Sequence, residues 1–298
     1  GGFCLQITGG EPFIRSDINE ILSNIARRNI VLNITSNLTL MTPAQIDLVA
    51  EMAPKSVGCS IYAAEPAIHD GVTKLEGSFQ MSVDRIKKLR QRGVPVVIKS
   101  PFMNHTIHQW KKIENLALDL GCGYQFDLNI TGRNDGGLEP LDLRSRDHSA
   151  IEELFSTRLY KIYINDEAIP LPQNMDRLDA GLCGAGATGL VIAPDGVIRP
   201  CLGLMTSLGK IQDNNIEQIW RSSPFFSKWM SLKISNIEKC RTCGLFPFCI
   251  KCPGAWELET GSVLEPSEYS CFLADILAKC NLSGKKPDNS CFPYNNHN

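Results

Sequence analysis

Two features of the sequence predict an α/β fold with a parallel sheet, followed by a small cysteine-rich domain. In the first half, short β-branched apolar segments alternate with amphipathic segments, which is typical of repeated βαβ units. In the second half, nine of the chain's twelve cysteines lie between Cys183 and Cys291. We expect residues 1–140 to form the α/β part, residues 141–180 to connect the two parts, and residues 181–298 to form the cysteine-rich domain.

Five segments of the first half are candidate strands because each is short, apolar and rich in β-branched residues. They are Phe3–Thr8, Ile30–Thr35, Val57–Ile61, Pro95–Ser100 and Tyr124–Asn129. We expect them to be parallel, to neighbour one another in chain order, and to bring their carboxyl ends to one rim.

Helices are expected between these strands. Cap signals predict one helix after Ser16 and one beginning at Thr42-Pro43, where proline suits the first helical position. Two more are expected at about residues 79–92 and 108–120, each ending at a glycine, Gly93 and Gly121. Beyond the α/β part we expect a helical segment near residues 150–159, a hairpin over residues 191–198 around Pro194-Asp195-Gly196, and a short helix at residues 215–221.

The composition excludes several classes of protein. The chain has 298 residues, of which 43% are hydrophobic and 21% charged, so it can bury a core and is not a disordered segment. The net charge is −2 and basic residues are dispersed, so no nucleic-acid surface is expected. No apolar segment reaches membrane length, and no signal peptide follows Gly1. We expect a cytoplasmic protein whose chain begins inside a fold.

Each candidate strand ends in groups that can hydrogen-bond or carry charge. In parallel α/β folds the ligand site lies at these ends, so the ring could hold a ligand with ammonium and carboxylate groups. Taken singly, each residue also fits an ordinary turn, a cap or a surface position. The ends are Thr8-Gly9-Gly10-Glu11-Pro12, Thr35-Ser36-Asn37, Ser60-Ile61-Tyr62, Lys99-Ser100, and Asp127 with Asn129.

Other polar and cysteine residues of the first half have structural interpretations. His69 and Asp70 are expected to cap or orient a loop rather than to bind a metal. Cys4, Cys59 and Cys122 lie on or beside predicted strands, so we expect them to pack as small hydrophobic residues.

The later cysteines have the spacing of metal or cluster ligands. Their number suits two four-ligand sites, because each CxxC places two thiolates close together. The spacing leaves structural zinc and iron–sulfur clusters open, while disulfides would need an oxidising compartment. The cysteines are Cys183 and Cys201 around Gly196, then Cys240, Cys243, Cys249 and Cys252, then Cys271, Cys280 and Cys291.

These motifs together resemble a known family. Gly9-Gly10-Glu11-Pro12 after an apolar strand resembles the GGEP motif of radical S-adenosylmethionine (SAM) enzymes. Further segments look like the middle of the members that modify peptides, namely residues 60–64, His69-Asp70, Thr73, residues 77–79, Lys99 and residues 133–136. The later cysteines resemble a SPASM domain, which holds auxiliary clusters. The resemblance covers nearly all of residues 3–280. It implies a partial (β/α)6 parallel barrel that lacks its first strand.

The resemblance implies roles for individual residues. Gly9, Gly10, Glu11 and Pro12 would hold the methionine ammonium of SAM, with Ser36, Asn37, Ser60 and Lys99 also part of the cofactor site. Two auxiliary [4Fe–4S] clusters would be bound by the later cysteines. Cys240, Cys243, Cys249 and Cys271 would bind one, and Cys183, Cys201 and Cys252 the other, whose fourth ligand would be Cys280, Cys291 or no residue.

The sequence departs from the family pattern at two points. The central motif ends in CX2C where CX3C is common, which affects Cys252. The CxxxCxxC that binds the SAM-cleaving cluster does not occur upstream of Gly9, so we expect residues 1–298 alone not to cleave SAM. We also expect an unpaired apolar edge at Phe3–Thr8 and reduced solubility of this chain.

The resemblance implies an enzyme that generates a 5′-deoxyadenosyl radical from SAM and modifies a peptide or protein. The products would be thioether or carbon–carbon cross-links, or a matured sulfatase. Its partners would be the peptide substrate and a reductant such as a flavodoxin or ferredoxin. The competing hypothesis is a non-catalytic zinc-binding module that interacts with peptides.

Overall fold

The computed structural model describes residues 4–155, 177–213 and 215–282. The chain divides into two compact units, Gly1–Ile130 with Leu143–Ser145, and Thr131–Asp142 with Arg146–Asn298. Cys291 and most of the predicted connecting segment lie outside the described residues.

The first unit is built on a five-stranded parallel sheet whose strands neighbour one another in chain order, as predicted. Crossover helices between successive strands explain the parallel arrangement. The strands are β1 (Cys4–Ile7), β2 (Val31–Ser36), β3 (Ser56–Ser60), β4 (Val96–Pro101) and β5 (Gly123–Asp127).

The first unit has five helices. They are α1 (Ile18–Ala26), α2 (Pro43–Glu51), α3 (Pro66–Thr73), α4 (Ser78–Gln91) and α5 (Trp110–Asp119). Four of them, α1, α2, α4 and α5, contribute apolar side chains to a core shared with the strands. Strand residues such as Ile34, Cys59 and Ile98 are fully buried in this core. The sequence prediction did not include α3, because its eight residues carry only a short apolar pattern.

The caps of these helices partly match the sequence prediction. Thr42 caps α2 in a capping box with Gln45, and Gly93 and Gly121 follow α4 and α5 with positive φ angles, as expected. The predicted cap at Ser16 is wrong. Asp17 occupies the N-cap position of α1, and its carboxylate accepts hydrogen bonds from the Arg15 guanidinium instead of from the helix amides.

The His69–Asp70 pair orients a loop, as predicted. The Asp70 carboxylate accepts hydrogen bonds from the amides of Gly77 at 2.7 Å and Phe79 at 2.9 Å, and from the Ser78 hydroxyl at 2.9 Å. These bonds satisfy the first turn of α4 and hold the pKa of Asp70 below its ordinary value. Nδ1 of His69 accepts from the Tyr62 amide.

The cysteines of the first unit differ in their surroundings. Cys59 and Cys122 are buried, as predicted, and burial raises the pKa of the Cys122 thiol to about 11. The prediction is wrong for Cys4, which is exposed because β1 forms one edge of the sheet and its side chain points away from the helices. Leu5 on the same strand is 37% exposed.

The second unit is mainly helical around a small antiparallel sheet. The strands are β6 (Val191–Ile192), β7 (Val197–Arg199) and β8 (Gly209–Lys210), and β6 and β7 form the predicted hairpin, with Gly196 at a positive φ. The helices are α6 (His148–Phe155), α7 (Ile216–Ser222), α8 (Pro224–Ser231), α9 (Glu238–Arg241), α10 (Pro253–Thr260) and α11 (Glu268–Leu282). The short helix predicted at residues 215–221 corresponds to α7, which Asn215 caps.

Tryptophans anchor the core of the second unit. Trp256 is 1% exposed, and its indole N–H donates to the Ser270 hydroxyl at 3.1 Å, which ties α10 to α11. The Trp229 indole donates to the Cys183 carbonyl at 3.3 Å. Among the described helices of both units, none has the length and apolar character needed to cross a membrane.

Candidate functional site

Two groups of residues carry chemistry, one in each unit. The first lies on the face of the five-stranded sheet that points away from the helices. Side chains alternate between the two faces of a strand, so this polar face carries Gln6, Asn33, Thr35, Ser60, Lys99 and Asp127. Parallel sheets are normally covered by apolar side chains on both faces. A polar face therefore indicates a binding surface.

Hydrogen bonds connect neighbouring strands across the polar face. The side-chain Nε2 of Gln6 donates to the Thr35 hydroxyl at 3.1 Å. The side-chain Nδ2 of Asn33 donates to the Cys4 thiol at 3.3 Å, and the Ser56 hydroxyl donates to the side-chain Oδ1 of Asn33 at 2.9 Å. These bonds hold the side chains in fixed positions, which pre-organises the surface for a ligand.

Lys99 reaches across the polar face because β3 has a glycine beside it. A Cβ atom added to Gly58 would lie 2.8 Å from Cε of Lys99 and 3.2 Å from Oγ1 of Thr35. The missing side chain at Gly58 thus leaves the space in which the lysine stem lies. The result is a half-buried cation at the centre of the sheet.

The end of β5 contributes the acidic group of this surface. The pKa of Asp127 is raised, because its surroundings limit hydration of the carboxylate. The Asn129 amide, which donates to Asp127 at 2.7 Å, and the charge of Lys99 act in the opposite direction. Lys99 and Asp127 therefore place opposite charges on one surface, as a zwitterionic amino-acid group would require.

The predicted Gly9–Pro12 loop is connected to the end of β2 through Glu11. The Glu11 carboxylate accepts from the Ser36 hydroxyl at 2.8 Å, from the Asn37 amide at 2.8 Å and from the Phe13 amide at 3.0 Å. Three donors therefore occupy this carboxylate within the protein. Its visible role is to fix the loop relative to β2.

The glycines of this loop keep their backbone open. A Cβ atom added to Gly9 or Gly10 would meet no atom within 4 Å, and Gly9 has a φ of +139°. Backbone groups can approach a ligand closely where no side chain intervenes. The loop therefore leaves its main-chain groups open to a bound molecule.

The predicted cofactor residues fall into two sets. Ser60 and Lys99 are register partners on the polar face, and Gly9 and Gly10 are exposed at the end of β1. Ser36 is 3% exposed and lies on the helix-covered face, where its hydroxyl binds Glu11. The Asn37 side chain accepts bonds from Thr39. Ser36 and Asn37 therefore support the turn.

The second group of residues is formed by cysteines of the second unit, in two sets. The first set contains Cys183, Cys201 and Cys252, whose thiols interact electrostatically with one another. Burial raises the pKa of Cys183 and of Cys201, and the neighbouring thiols add to this effect.

Backbone contacts bring the first set together. The Gly186 amide, three residues after Cys183, donates to the Pro200 carbonyl at 3.0 Å, which places Cys183 near Cys201. Gly203 and Gly254 meet backbone to backbone, so that a Cβ atom on Gly254 would lie 2.7 Å from the Gly203 carbonyl carbon. Each glycine lies two residues after a cysteine of the set, so this contact places Cys201 near Cys252.

The second set contains Cys240, Cys243, Cys249 and Cys271. Burial raises the pKa of Cys249 to about 11, and the other three cysteines contribute to the increase, whereas Lys251 opposes it. Cys240 lies in α9, the Cys243 amide donates to the Cys240 carbonyl at 3.4 Å, and Cys249 follows a short helical turn at Phe246–Phe248. Cys271 belongs to α11, which the bond between Trp256 and Ser270 fixes in place.

Cys280 has a different environment from these seven cysteines. It is 9% exposed, and its thiol donates to the Glu152 carbonyl on α6 at 3.8 Å. It lies nine residues after Cys271 on the same helix, about 13 Å further along the axis. Within the described residues, no three Cys, His, Asp or Glu side chains surround one point as ligands of a single ion would.

The donor chemistry of both sets fits iron–sulfur clusters. Four thiolates are the ordinary ligand set of a [4Fe–4S] cluster, and the second set supplies four. The first set supplies three among the described residues. Iron–sulfur clusters are bound by thiolates, so cluster binding would release protons and would couple to folding of the surrounding loops.

Comparison with protein families agrees with both groups of residues. Residues 2–117 match the Radical SAM superfamily, and residues 183–244 match the SPASM iron–sulfur cluster-binding domain. This chain contains a radical SAM domain and a SPASM domain. The two domains imply SAM and [4Fe–4S] clusters as cofactors.

Three curated relatives illustrate the sequence similarity of this radical SAM–SPASM chain. It is 24% identical over 253 residues to the PqqA peptide cyclase of Ruegeria pomeroyi, covering 82% of this chain and 67% of the relative. It is 26% identical over 262 residues to the subtilosin biosynthesis protein AlbA of Bacillus subtilis, covering 85% and 57%. It is 24% identical over 274 residues to the AdoMet-dependent heme synthase of Nitratidesulfovibrio vulgaris, covering 85% and 74%.

The fold is shared with solved structures. The crystal structure of SuiB from Streptococcus suis bound to S-adenosylmethionine superposes with a TM-score of 0.65 at 18% identity, over 90% of this chain and 66% of SuiB. This similarity concerns the fold. The chain spans about two thirds or less of the length of SuiB, the PqqA peptide cyclase and AlbA.

Several residues of the site were not expected from the sequence. Gly58, Gly203 and Gly254 matter for the space they leave, and the pattern cysteine–any residue–glycine at residues 201–203 and 252–254 was the available signal. Lys251 lies with its Nζ 4.1 Å from the centre of the Phe246 ring, beside Cys249, and was likewise missed.

Proposed function

We propose that this chain forms part of an enzyme that cleaves SAM and uses the resulting radical to modify a peptide or protein. The SPASM match, together with the two cysteine sets, carries this proposal and favours iron–sulfur clusters over a structural zinc module. Its similarity to the PqqA peptide cyclase and to AlbA supports a peptide substrate.

The first unit would bind SAM at the carboxyl ends of its strands. The open backbone of Gly9 and Gly10 would meet the methionine ammonium, while Glu11 holds the loop in place. The Lys99 ammonium would pair with the methionine carboxylate, and Ser60 would lie beside it on the polar face. Each contact uses a group that the protein already holds in position.

In complete enzymes of this family, a catalytic [4Fe–4S] cluster supplies the electron that cleaves SAM to methionine and a 5′-deoxyadenosyl radical. The residues of this chain would orient SAM and keep it next to the substrate. The hydrogen-bonded side chains Gln6, Thr35 and Asn33 form a fixed polar surface on which the substrate would lie.

The seven clustered cysteines would hold two auxiliary clusters. Cys240, Cys243, Cys249 and Cys271 would bind one, and Cys183, Cys201 and Cys252 would bind the other. A reductant such as a flavodoxin or ferredoxin would supply electrons, and the protein would act in the cytoplasm, where thiols stay reduced.

Metal analysis tests this proposal directly. After anaerobic reconstitution, two [4Fe–4S] clusters would give about eight irons and eight sulfides per chain, with the corresponding visible absorption. Zinc bound without acid-labile sulfide would refute the enzyme and support the zinc module.

A binding experiment tests the first unit separately. Equilibrium dialysis with labelled SAM would detect binding, and the Lys99→Met variant would bind more weakly than a Lys87→Met control, whose side chain is exposed on α4. Equal binding by the two variants would contradict the assigned role of Lys99.

A further inference from the structure

The first cysteine set has three thiols among the described residues, whereas a [4Fe–4S] cluster offers four iron positions. Cys280, one candidate for the fourth, is buried against α6 with its thiol directed to the Glu152 carbonyl. Another side chain near Cys201 and Cys252 could therefore bind the fourth iron.

The contact between Gly203 and Gly254 identifies the face of α10 that meets the Cys201 loop. The two backbones approach so closely that a Cβ atom on Gly254 would lie 2.7–3.0 Å from three backbone atoms of Gly203. Residues three positions apart lie on the same face of a helix. Glu257, three residues after Gly254, is therefore directed toward the same loop.

A hydrogen bond shows that the Glu257 side chain points to this loop. Its Oε2 accepts from the Met205 amide at 3.4 Å, and Met205 lies four residues after Cys201. The half-buried carboxylate also interacts electrostatically with the Cys201 thiol. Oε1 of Glu257 accepts no hydrogen bond from the described residues, so one carboxylate oxygen is anchored and the other is available.

We propose that Glu257 provides the fourth ligand of the first auxiliary cluster, through Oε1 on the iron that Cys183, Cys201 and Cys252 leave without a thiolate. The carboxylate displaces a water molecule from this iron, with no change of oxidation state. It adds one negative charge to the site, so it lowers the reduction potential of the cluster and keeps small neutral ligands from the iron.

This inference rests on the proposed function, because it requires an iron–sulfur cluster in the first set. The test uses the reconstituted protein with Cys243→Ala, so that the first cluster dominates the spectrum. Glu257→Gln, which keeps shape and removes charge, is compared with Glu259→Gln on the same helix, and both are treated with imidazole under reducing conditions. The readouts are iron content, the electron paramagnetic resonance spectrum and the reduction potential.

We expect imidazole to shift the spectrum of the Glu257→Gln protein and to leave the Glu259→Gln protein unchanged. The reduction potential should rise only in the Glu257→Gln protein. A Glu257→Asp variant that retains the cluster where Glu257→Gln loses it would also support ligation by the carboxylate.

Identical spectra and potentials for Glu257→Gln and Glu259→Gln would overturn the proposal. So would a spectral change caused by Cys280→Ser or Cys291→Ser alone, because a thiolate would then be the fourth ligand. Loss of iron in both Glu257→Gln and Glu257→Asp, together with a changed far-ultraviolet circular dichroism spectrum, would assign Glu257 a structural role and overturn the proposal. Absence of iron and sulfide in the unmodified protein would instead refute the proposed function.

Discussion

Gly254→Ala tests whether the contact between the two glycines positions the first cysteine set. The added methyl group would lie 2.7 Å from the Gly203 carbonyl carbon, 2.9 Å from its oxygen and 3.0 Å from its Cα. These neighbours are backbone atoms and cannot rotate away, so α10 or the Cys201 loop must move.

Two opposing effects determine how much Gly254→Ala destabilises the protein. Inserting a methyl group into a closely packed contact destabilises a protein by about 1–3 kcal/mol. Alanine improves helix propensity over glycine by at most about 1 kcal/mol, and Gly254 lies in the first turn of α10. With a central value of about 2 kcal/mol for the packing effect, the net loss is about 1–2 kcal/mol. Each kcal/mol would lower the melting temperature of a unit of this size by about 2–4 °C.

The assay pairs thermal unfolding with iron analysis after reconstitution. Gly184→Ala is the matched control, because Gly184 also neighbours a cysteine of the first set but would receive a methyl group with no atom within 4 Å. We expect Gly254→Ala to melt at a lower temperature and to hold only the second cluster, about four irons. If Gly254→Ala matched Gly184→Ala in melting temperature and iron content, the contact would not position the cysteines.

Three further predictions follow from the site and the fold. Cys243→Ala should halve the iron content from about eight to about four per chain, while Cys4→Ser, on the exposed edge strand, should leave it unchanged in the same iron assay. Lys99→Met should weaken SAM binding in dialysis by about tenfold or more, because a charge-assisted hydrogen bond contributes about 1.5–3 kcal/mol. Gly58→Ala should weaken SAM binding less, because the aliphatic part of the Lys99 side chain can move away from the added methyl group. Asp70→Asn should lower the melting temperature at neutral pH. Because the folded-state pKa of Asp70 is depressed, the ionised carboxylate stabilises the folded protein fully above the ordinary aspartate pKa of about 3.9. This stabilisation disappears as the pH falls through the lower folded-state pKa. Melting curves of the Asp70→Asn and unmodified proteins should therefore converge in acid, and a constant difference would contradict the capping role.

The parallel sheet was predictable because it depends on a pattern that the sequence displays. β-branched apolar segments separated by capped helices have few ways to fold, and five strands in chain order follow when every right-handed crossover places its helix on the same face of the sheet. The spacing of the later cysteines indicated two four-ligand sites, and the resemblance to SPASM domains implied how they divide. The separation of Cys183, Cys201 and Cys252 from Cys240, Cys243, Cys249 and Cys271 stays a prediction, which the electrostatic neighbours in the structure support.

Contacts between residues distant in the sequence were not predictable. The role of Glu11 in holding the cofactor stays a prediction. Its partners Ser36 and Asn37 lie 25 and 26 residues away, and only the folded chain shows that they bind its carboxylate. The role of Gly58 likewise depends on Lys99, which becomes its neighbour only because β3 and β4 pair in the sheet. A cysteine on an edge strand, such as Cys4, has the same local sequence pattern as a buried one.

The alternation of the central strands has a consequence for how this protein can change over time. Ile34, Cys59 and Ile98 point to the helices and determine whether the chain folds. Their immediate neighbours Thr35, Ser60 and Lys99 point to the other face, where an altered side chain removes little apolar packing. Mutations on the polar face can therefore alter which molecule is recognised at small thermodynamic cost. New substrate preferences could arise by single replacements at every second strand position while the scaffold persists.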